Sequence, residues 1–193
     1  MIRFGISRLP PEDMTDADWL DSLLARGHTA IELPFVSGFP WNEKRCARFG
    51  EAAAQRGMAV SVHAPYFAVL TVEDEDKRVK TLAALEHTLK LGRALGAHTI
   101  VAHTGHIKGR DPEELHELVD EGLSRIEPKV RHLGVALGLE TAGTDRSFGS
   151  LGDIALITRR FSFVRPVIDW AHVHAKSGGG LTTREAFAAV ISF

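Results

Sequence analysis

Side chains able to hold a metal ion recur along this sequence at regular intervals. "SVHAPYF" carries His63, "VAHTGH" carries His103 and His106, "LGLETAG" carries Glu140, and "IDWAHVHAK" carries Asp169, His172 and His174. His63, His103, Glu140 and Asp169 each stand at the carboxyl end of a short apolar run, 40, 37 and 29 residues apart. Imidazoles combined with carboxylates are ligands for zinc, manganese or iron, with no thiolate required. Metal sites of this kind suit hydrolysis, because the ion acidifies a water and stabilises negative charge on a phosphoryl oxygen. Two ions about 4 Å apart need a carboxylate between them, and Glu140 is central among the candidates. Each residue taken alone has a plainer explanation: a histidine hydrogen-bonded at a strand end, or an acid capping the next helix. Four consecutive runs ending in His, His, Glu and Asp outweigh it.

The runs at 2–6, 29–35, 58–64, 98–104, 135–141 and 165–171 predict six strands, near-continuously apolar as in a parallel sheet buried on both faces. Amphipathic segments separate them. "TDADWLDSLLARG" opens on Thr15 as N-cap, and "DPEELHELVDEGLSRIEPKVRHLG" opens on Asp111 with Pro112 at the first helical position. "EDEDKRVKTLAALEHTLKLGRALG" places Leu82, Leu85, Leu89 and Leu95 at helical spacing. Repeated strand–helix alternation implies a parallel sheet with right-handed crossovers. The expected fold is α/β, of the (β/α)8 TIM-barrel type, in which the carboxyl ends of the strands converge on one rim. About six of eight units fit within residues 1–193, a single partial barrel domain that ends in an apolar phase of a helix and is expected to be truncated at its C-terminus. A doubly wound open sheet is the competing architecture; no Gly-rich dinucleotide fingerprint follows the first strand, where "GISRLPPED" stands, and no Walker loop occurs.

The net charge of −2 advertises no nucleic-acid partner, although a bound metal can supply positive charge locally. Cys46 is the only cysteine, so neither a disulfide framework nor a thiolate cluster is expected. No signal-like h-region and no apolar run of about 20 residues is present, which points to a cytoplasmic protein without a membrane partner.

"SVHAPYF", "VAHTGH", "LGLETAGTDRSFGSLGDI" and "PVIDWAHVHAKSGG" resemble successive motifs of the endonuclease IV family, which lies within the xylose isomerase-like barrel group. The resemblance covers roughly residues 58–180, and "ETAG", "FGSLGDI" and "IDWAH" are its most specific parts. It implies a zinc-dependent (β/α)8 enzyme, with up to three zinc ions or manganese in their place, that cuts DNA 5′ to abasic sites. It further implies that His63, His103 and Glu140 hold a first ion, that Glu140 and Asp169 share a second, and that His172 serves a third. Tyr66 would touch the distorted DNA, with His106 and His174 flanking the ligands as substrate-binding residues. A water activated by the metals would attack phosphorus, so no side-chain nucleophile is needed. A complete barrel of this family implies a monomer.

Several motifs depart from the family. The usual "HPG" is "HTG" (His103–Gly105), "DTCH" is "DWAH" (Asp169–His172) with Trp170 beside the site, and the loop after Tyr66 is the apolar "AVL" (Ala68–Leu70). The family's later histidine, Asp-x-His pair and glutamate have no counterpart in this sequence. The 193-residue form is therefore expected to be a poor catalyst. The alternative is a metal-dependent sugar isomerase or epimerase of the same group, acting on a small sugar through one ion and an acid–base pair. Glu32, at the end of the second run, is the acid such an enzyme places on the rim. Lys176 and "SGGG" (177–180) form a flexible segment there, and His28, His87, His116 and His132 are expected to be solvated.

Overall fold

The structure, a computed structural model, describes residues 2–193. In chain order the elements are β1 (Gly5–Ser7), α1 (Asp16–Ala25), β2 (Ala30–Pro34), α2 (Glu43–Gln55), β3 (Ala59–His63), α3 (Glu75–Ala94), β4 (Thr99–His103) and β5 (Gly105–His106). There follow α4 (Pro112–Val130), β6 (Ala136–Glu140), β7 (Ser147–Phe148), α5 (Leu151–Arg160), β8 (Val164–Val167), α6 (Trp170–Lys176) and α7 (Arg184–Ser192).

Among the described residues, β1-β2-β3-β4-β6-β8 form one parallel sheet in sequential order, each strand joined to the next through a helix. These are the strand–helix units of a TIM-type barrel, with β1 and β8 at the edges of the sheet. No helix among the described residues is long and apolar enough to cross a membrane.

The strands differ from expectation in one respect that matters for the site. They are not continuously apolar: burial switches residue by residue through β2 and the first four residues of β3, and β4 and β6 are buried at their three central residues. Ile31, Leu33, Val60, Val62, Ile100, Ala102, Leu137 and Leu139 belong to the buried core packed with the helices. Their alternates are small or polar. Register aligns Glu32, Ser61, Thr99 and Ala136 in one row, and His103, Glu140 and Val167 in another. A two-residue period sends alternate side chains to opposite faces, so the helices cover one face and the polar set lies on the other.

Helix starts follow local chemistry. The side chains of Thr15, Asn42, Asp74 and Thr183 accept backbone N–H bonds at four of them, and Ser150 with Asp153 forms a capping box at α5. Asp111 occupies the N-cap of α4 but its side chain makes no capping bond, leaving Pro112 to preset the first turn. Leu82, Leu85, Leu89 and Leu95 are buried as their spacing requires.

The sixth strand is shorter than its apolar run. Its ladder ends where Glu140 pairs with Val167, and Asp169 leaves the strand to cap α6, accepting the His172 backbone N–H at 2.9 Å. The Asp169 carboxylate offers the chain a turn at the point where the sequence pattern continues a strand. The two-residue strands β5 and β7 pair antiparallel beside the carboxyl rim, a feature the strand–helix pattern did not announce.

Candidate metal centre

His63, His103 and Glu140 are the last residues of β3, β4 and β6. Parallel register sets His103 directly beside Glu140. The Glu140 carboxylate faces both rings, 3.1 Å from His103 Nδ1 and 3.7 Å from His63 Nε2. On its other side stand Asp169, at the start of α6, and His172 in the first turn. Two donor groups result, each with ligand atoms within 4.8 Å of one another: His63, His103 and Glu140, and Glu140, Asp169 and His172. Glu140 belongs to both. The resemblance assigns His172 to a separate third ion, whereas its ring lies with the Glu140–Asp169 group.

Backbone carbonyls orient two of the rings. His63 Nδ1 lies 2.8 Å from the carbonyl of Ala64, and His172 Nδ1 lies 2.8 Å from that of Thr141. A carbonyl only accepts, so each Nδ1 carries the proton and each Nε2 is the free donor atom. Asp169 spends Oδ1 on the His172 N–H and keeps Oδ2 free, 3.6 Å from His172 Nδ1. One acid thus caps a helix and joins the donor set.

The two central imidazoles are tuned apart. Burial opposes a charge on His63, but the Glu140 carboxylate, the Ala64 carbonyl and more distant Glu32 outweigh it and raise its pKa. Burial lowers the pKa of His103; the His63 and His172 rings add to this, against the pull of Glu140 and Asp169. Partly buried imidazoles and carboxylates, with free ring nitrogens and one shared acid, fit two zinc- or manganese-type ions.

The site opens into a cleft of about 380 Å³. Tyr66 roofs it, with its ring stacked on His103 at 5.3 Å and edge-on to His63 at 5.4 Å. His106 reaches the cleft from β5, held by its backbone N–H to Thr71 Oγ1 at 2.8 Å. The opposite wall is Ala142, Gly143 and Thr144, after β6.

Other sequence candidates lie elsewhere. His174 is exposed on α6 and does not line the cleft; two residues on from His172, it points to a different side of the helix. Trp170 packs on Phe187 of α7, with centroids 5.2 Å apart, instead of flanking the site. Glu32 accepts from Ser7 Oγ at 2.9 Å, one row below His63 and two below His103 and Glu140 on the same face. Lys176 is tied to the Ser147 carbonyl at 3.2 Å. His116, expected to be solvated, bridges α4 to α5 by contacts of 3.0 Å to Asp153 and 3.1 Å to Arg160. Sequence reasoning missed Thr104, Thr71 and Thr141, whose hydroxyls tie this rim together. The glycines Gly105 and Gly149, both at positive φ, were the available sign of the β5–β7 pair that two of these threonines support.

Comparison with known proteins adds the family context. A family model described as a xylose isomerase-like TIM barrel matches residues 20–192. Among curated proteins, the chain is 26% identical to an uncharacterized protein of Methanocaldococcus jannaschii, covering 99% of this chain and 69% of that one. It is 30% identical to a probable endonuclease 4 of Streptomyces coelicolor over 77% of this chain, which is 48% of that protein. The chain thus spans about half the length of that endonuclease. Among solved structures, D-psicose 3-epimerase from Clostridium cellulolyticum superposes with a TM-score of 0.77 at 15% identity, covering 100% of this chain and 71% of that one. Endonuclease IV from Thermus thermophilus superposes with a TM-score of 0.70 at 21% identity, covering 99% and 70%.

Proposed function

Because the chain belongs to the xylose isomerase-like TIM barrel family, we propose that its site performs zinc-dependent hydrolysis of the DNA phosphodiester 5′ to abasic sites. The observation that carries this reading is the pair of donor groups sharing Glu140. Hydrolysis of a phosphodiester gains from two adjacent cations, one for the attacking and one for the leaving oxygen. His63, His103 and Glu140 would hold one ion; Glu140, Asp169 and His172 would hold the other. The bound ions supply Lewis acidity and acidify water near neutral pH.

The chain's own residues then have defined tasks. The Ala64 and Thr141 carbonyls keep the two ring tautomers ligand-ready. Glu140 would lend its negative charge to both ions, and Asp169 a second carboxylate to one of them. Tyr66, 59% exposed yet stacked on His103, offers a face to the sugar or base at the scissile step. His106 offers a donor to a phosphate oxygen at the opposite lip. Similarity of "ETAG" and "IDWAH" to the endonuclease IV motifs supports Glu140, Asp169 and His172 as metal ligands, although it gives His172 to a third ion.

The cleft volume favours a second reading. About 380 Å³ suits a small ligand, as a sugar isomerase or epimerase with a single ion would require. Two measurements separate the readings. The purified protein, loaded with zinc or manganese, is incubated with a duplex containing a tetrahydrofuran abasic analogue, and separately with ketohexoses. Two bound ions and incision 5′ to the analogue support the nuclease. One bound ion and sugar interconversion without incision overturn it in favour of the isomerase.

A further inference from the structure

We infer that Thr141 and Gly143, the segment leaving β6, form a clamp that sets the Asp169–His172 ligand pair; the inference rests on the proposed two-ion site. Thr141 is 1% exposed and faces the start of α6. Its hydroxyl accepts the Asp169 backbone N–H at 3.0 Å and donates to the Asp169 carbonyl at 3.4 Å. Its own carbonyl accepts His172 Nδ1–H at 2.8 Å. Its own N–H donates to the Val167 carbonyl at 3.0 Å, anchoring Thr141 to the end of β8. A single residue therefore fixes the backbone of one ligand and the ring of the next.

Gly143 completes the device by absence of a side chain. A Cβ at that position would stand 2.6 Å from His172 Cδ2 and 2.8 Å from Cγ, well inside contact distance. Both atoms belong to a rigid ring already held by its Nδ1 bond, so the ring has to swing away and abandon the Thr141 carbonyl. Thr141 attracts the imidazole and Gly143 leaves it room. In the first donor group His63 is oriented elsewhere, by the carbonyl of Ala64 just after β3. Thr141 is thus a positioning residue for Asp169 and His172, the two ligands that the second group does not share with the first.

The test uses Thr141→Val, Thr141→Ser and Gly143→Ala beside the parent chain. In the metal-free proteins, nitrogen-15 NMR at alkaline pH reads the His172 tautomer. The parent and Thr141→Ser are expected to hold the Nδ1–H form, and Gly143→Ala to lose it. Cobalt(II) titration then counts ions by visible absorption. The parent and Thr141→Ser are expected to take two equivalents. Thr141→Val and Gly143→Ala are expected to keep the first and to bind the second about 10–100-fold more weakly, the range for lost outer contacts of a ligand. Rescue by serine separates the hydroxyl's role from general packing. A parent His172 without the Nδ1–H form, or a second ion bound by Thr141→Val as tightly as by the parent, overturns the clamp. A parent that shows the tautomer yet takes only one cobalt overturns the two-ion reading instead.

Discussion

At the scale of single residues, Glu140 decides the character of the site. It is the one side chain common to both donor groups, and its carboxylate raises the pKa of His63 against the effect of burial. Metal uptake has to displace the proton that Glu140 stabilises on His63. A raised pKa means that the proton persists to higher pH than on an ordinary imidazole, whose value is near 6.5. Zinc affinity should therefore weaken as pH falls through a point above 6.5, with proton release on binding that grows in the same direction. Calorimetry in buffers of different ionisation enthalpy reads that release, and a pH-independent affinity would contradict it. Deleting donors should act by group. His63→Ala is expected to lose the first ion and Asp169→Asn the second, each by more than tenfold in affinity, since each change removes or neutralises a proposed ligand. Metal analysis after dialysis checks this, and unchanged content in both variants would sink the ligand assignment.

The threonines of the rim make the same point from the polar side. None carries charge, so none stood out beside the histidines in the sequence, yet Thr141 and Thr104 are each 1% exposed and fully engaged. Their importance follows from which carbonyls and N–H groups reach them, and this depends on three-dimensional neighbours rather than on residue type.

At the scale of elements, the legible parts were those governed by local chemistry. Thr15 caps α1 as its position before an apolar pattern required, and the leucines of α3 are buried at their helical spacing. The end of β8 departs from the sequence pattern because Ile168 and Trp170 prolong an apolar run, while the Asp169 carboxylate turns the backbone into a helix. The β5–β7 pair was invisible because two residues per strand carry no periodicity. Its support is tertiary: the Thr104 hydroxyl donates to the Phe148 carbonyl, and the Thr71 hydroxyl accepts the His106 N–H. Thr104→Val should remove the hydroxyl's bond to that carbonyl and cost about 0.5–1.5 kcal/mol. Urea unfolding is expected to show a lower midpoint at unchanged slope. An unshifted midpoint would mean that the hydroxyl adds nothing to the β5–β7 pair.

At the scale of the whole molecule, the division of the sheet into two faces organises stability and chemistry separately. The alternation was present in the letters of "AIELP" and "AVSVH", but valine and alanine in the inward rows blur it in "TIVAH" and "ALGLE". Outward residues such as Leu33 and Val62 pack against helices, whereas the inward rows hold the acids and imidazoles. The parallel order and the barrel type followed from six strand–helix repeats, because crossover geometry leaves few alternatives.

The shared glutamate has a mechanical consequence. His63 and His172 lie 109 residues apart in sequence, and in the proposed two-ion site, ions held between β3, β4, β6 and α6 would join those distant points as removable cross-links. The two links meet in one residue, so they behave as fused rings rather than as independent staples. An ion that binds the native chain alone, at a free concentration 100 times its Kd, adds about 2.7 kcal/mol. For a chain of this size that corresponds to about 5–10 °C in Tm. Thermal scans with and without a chelator should show a loss of that order. Glu140→Gln should abolish the difference by itself, since cutting the common knot frees both loops together.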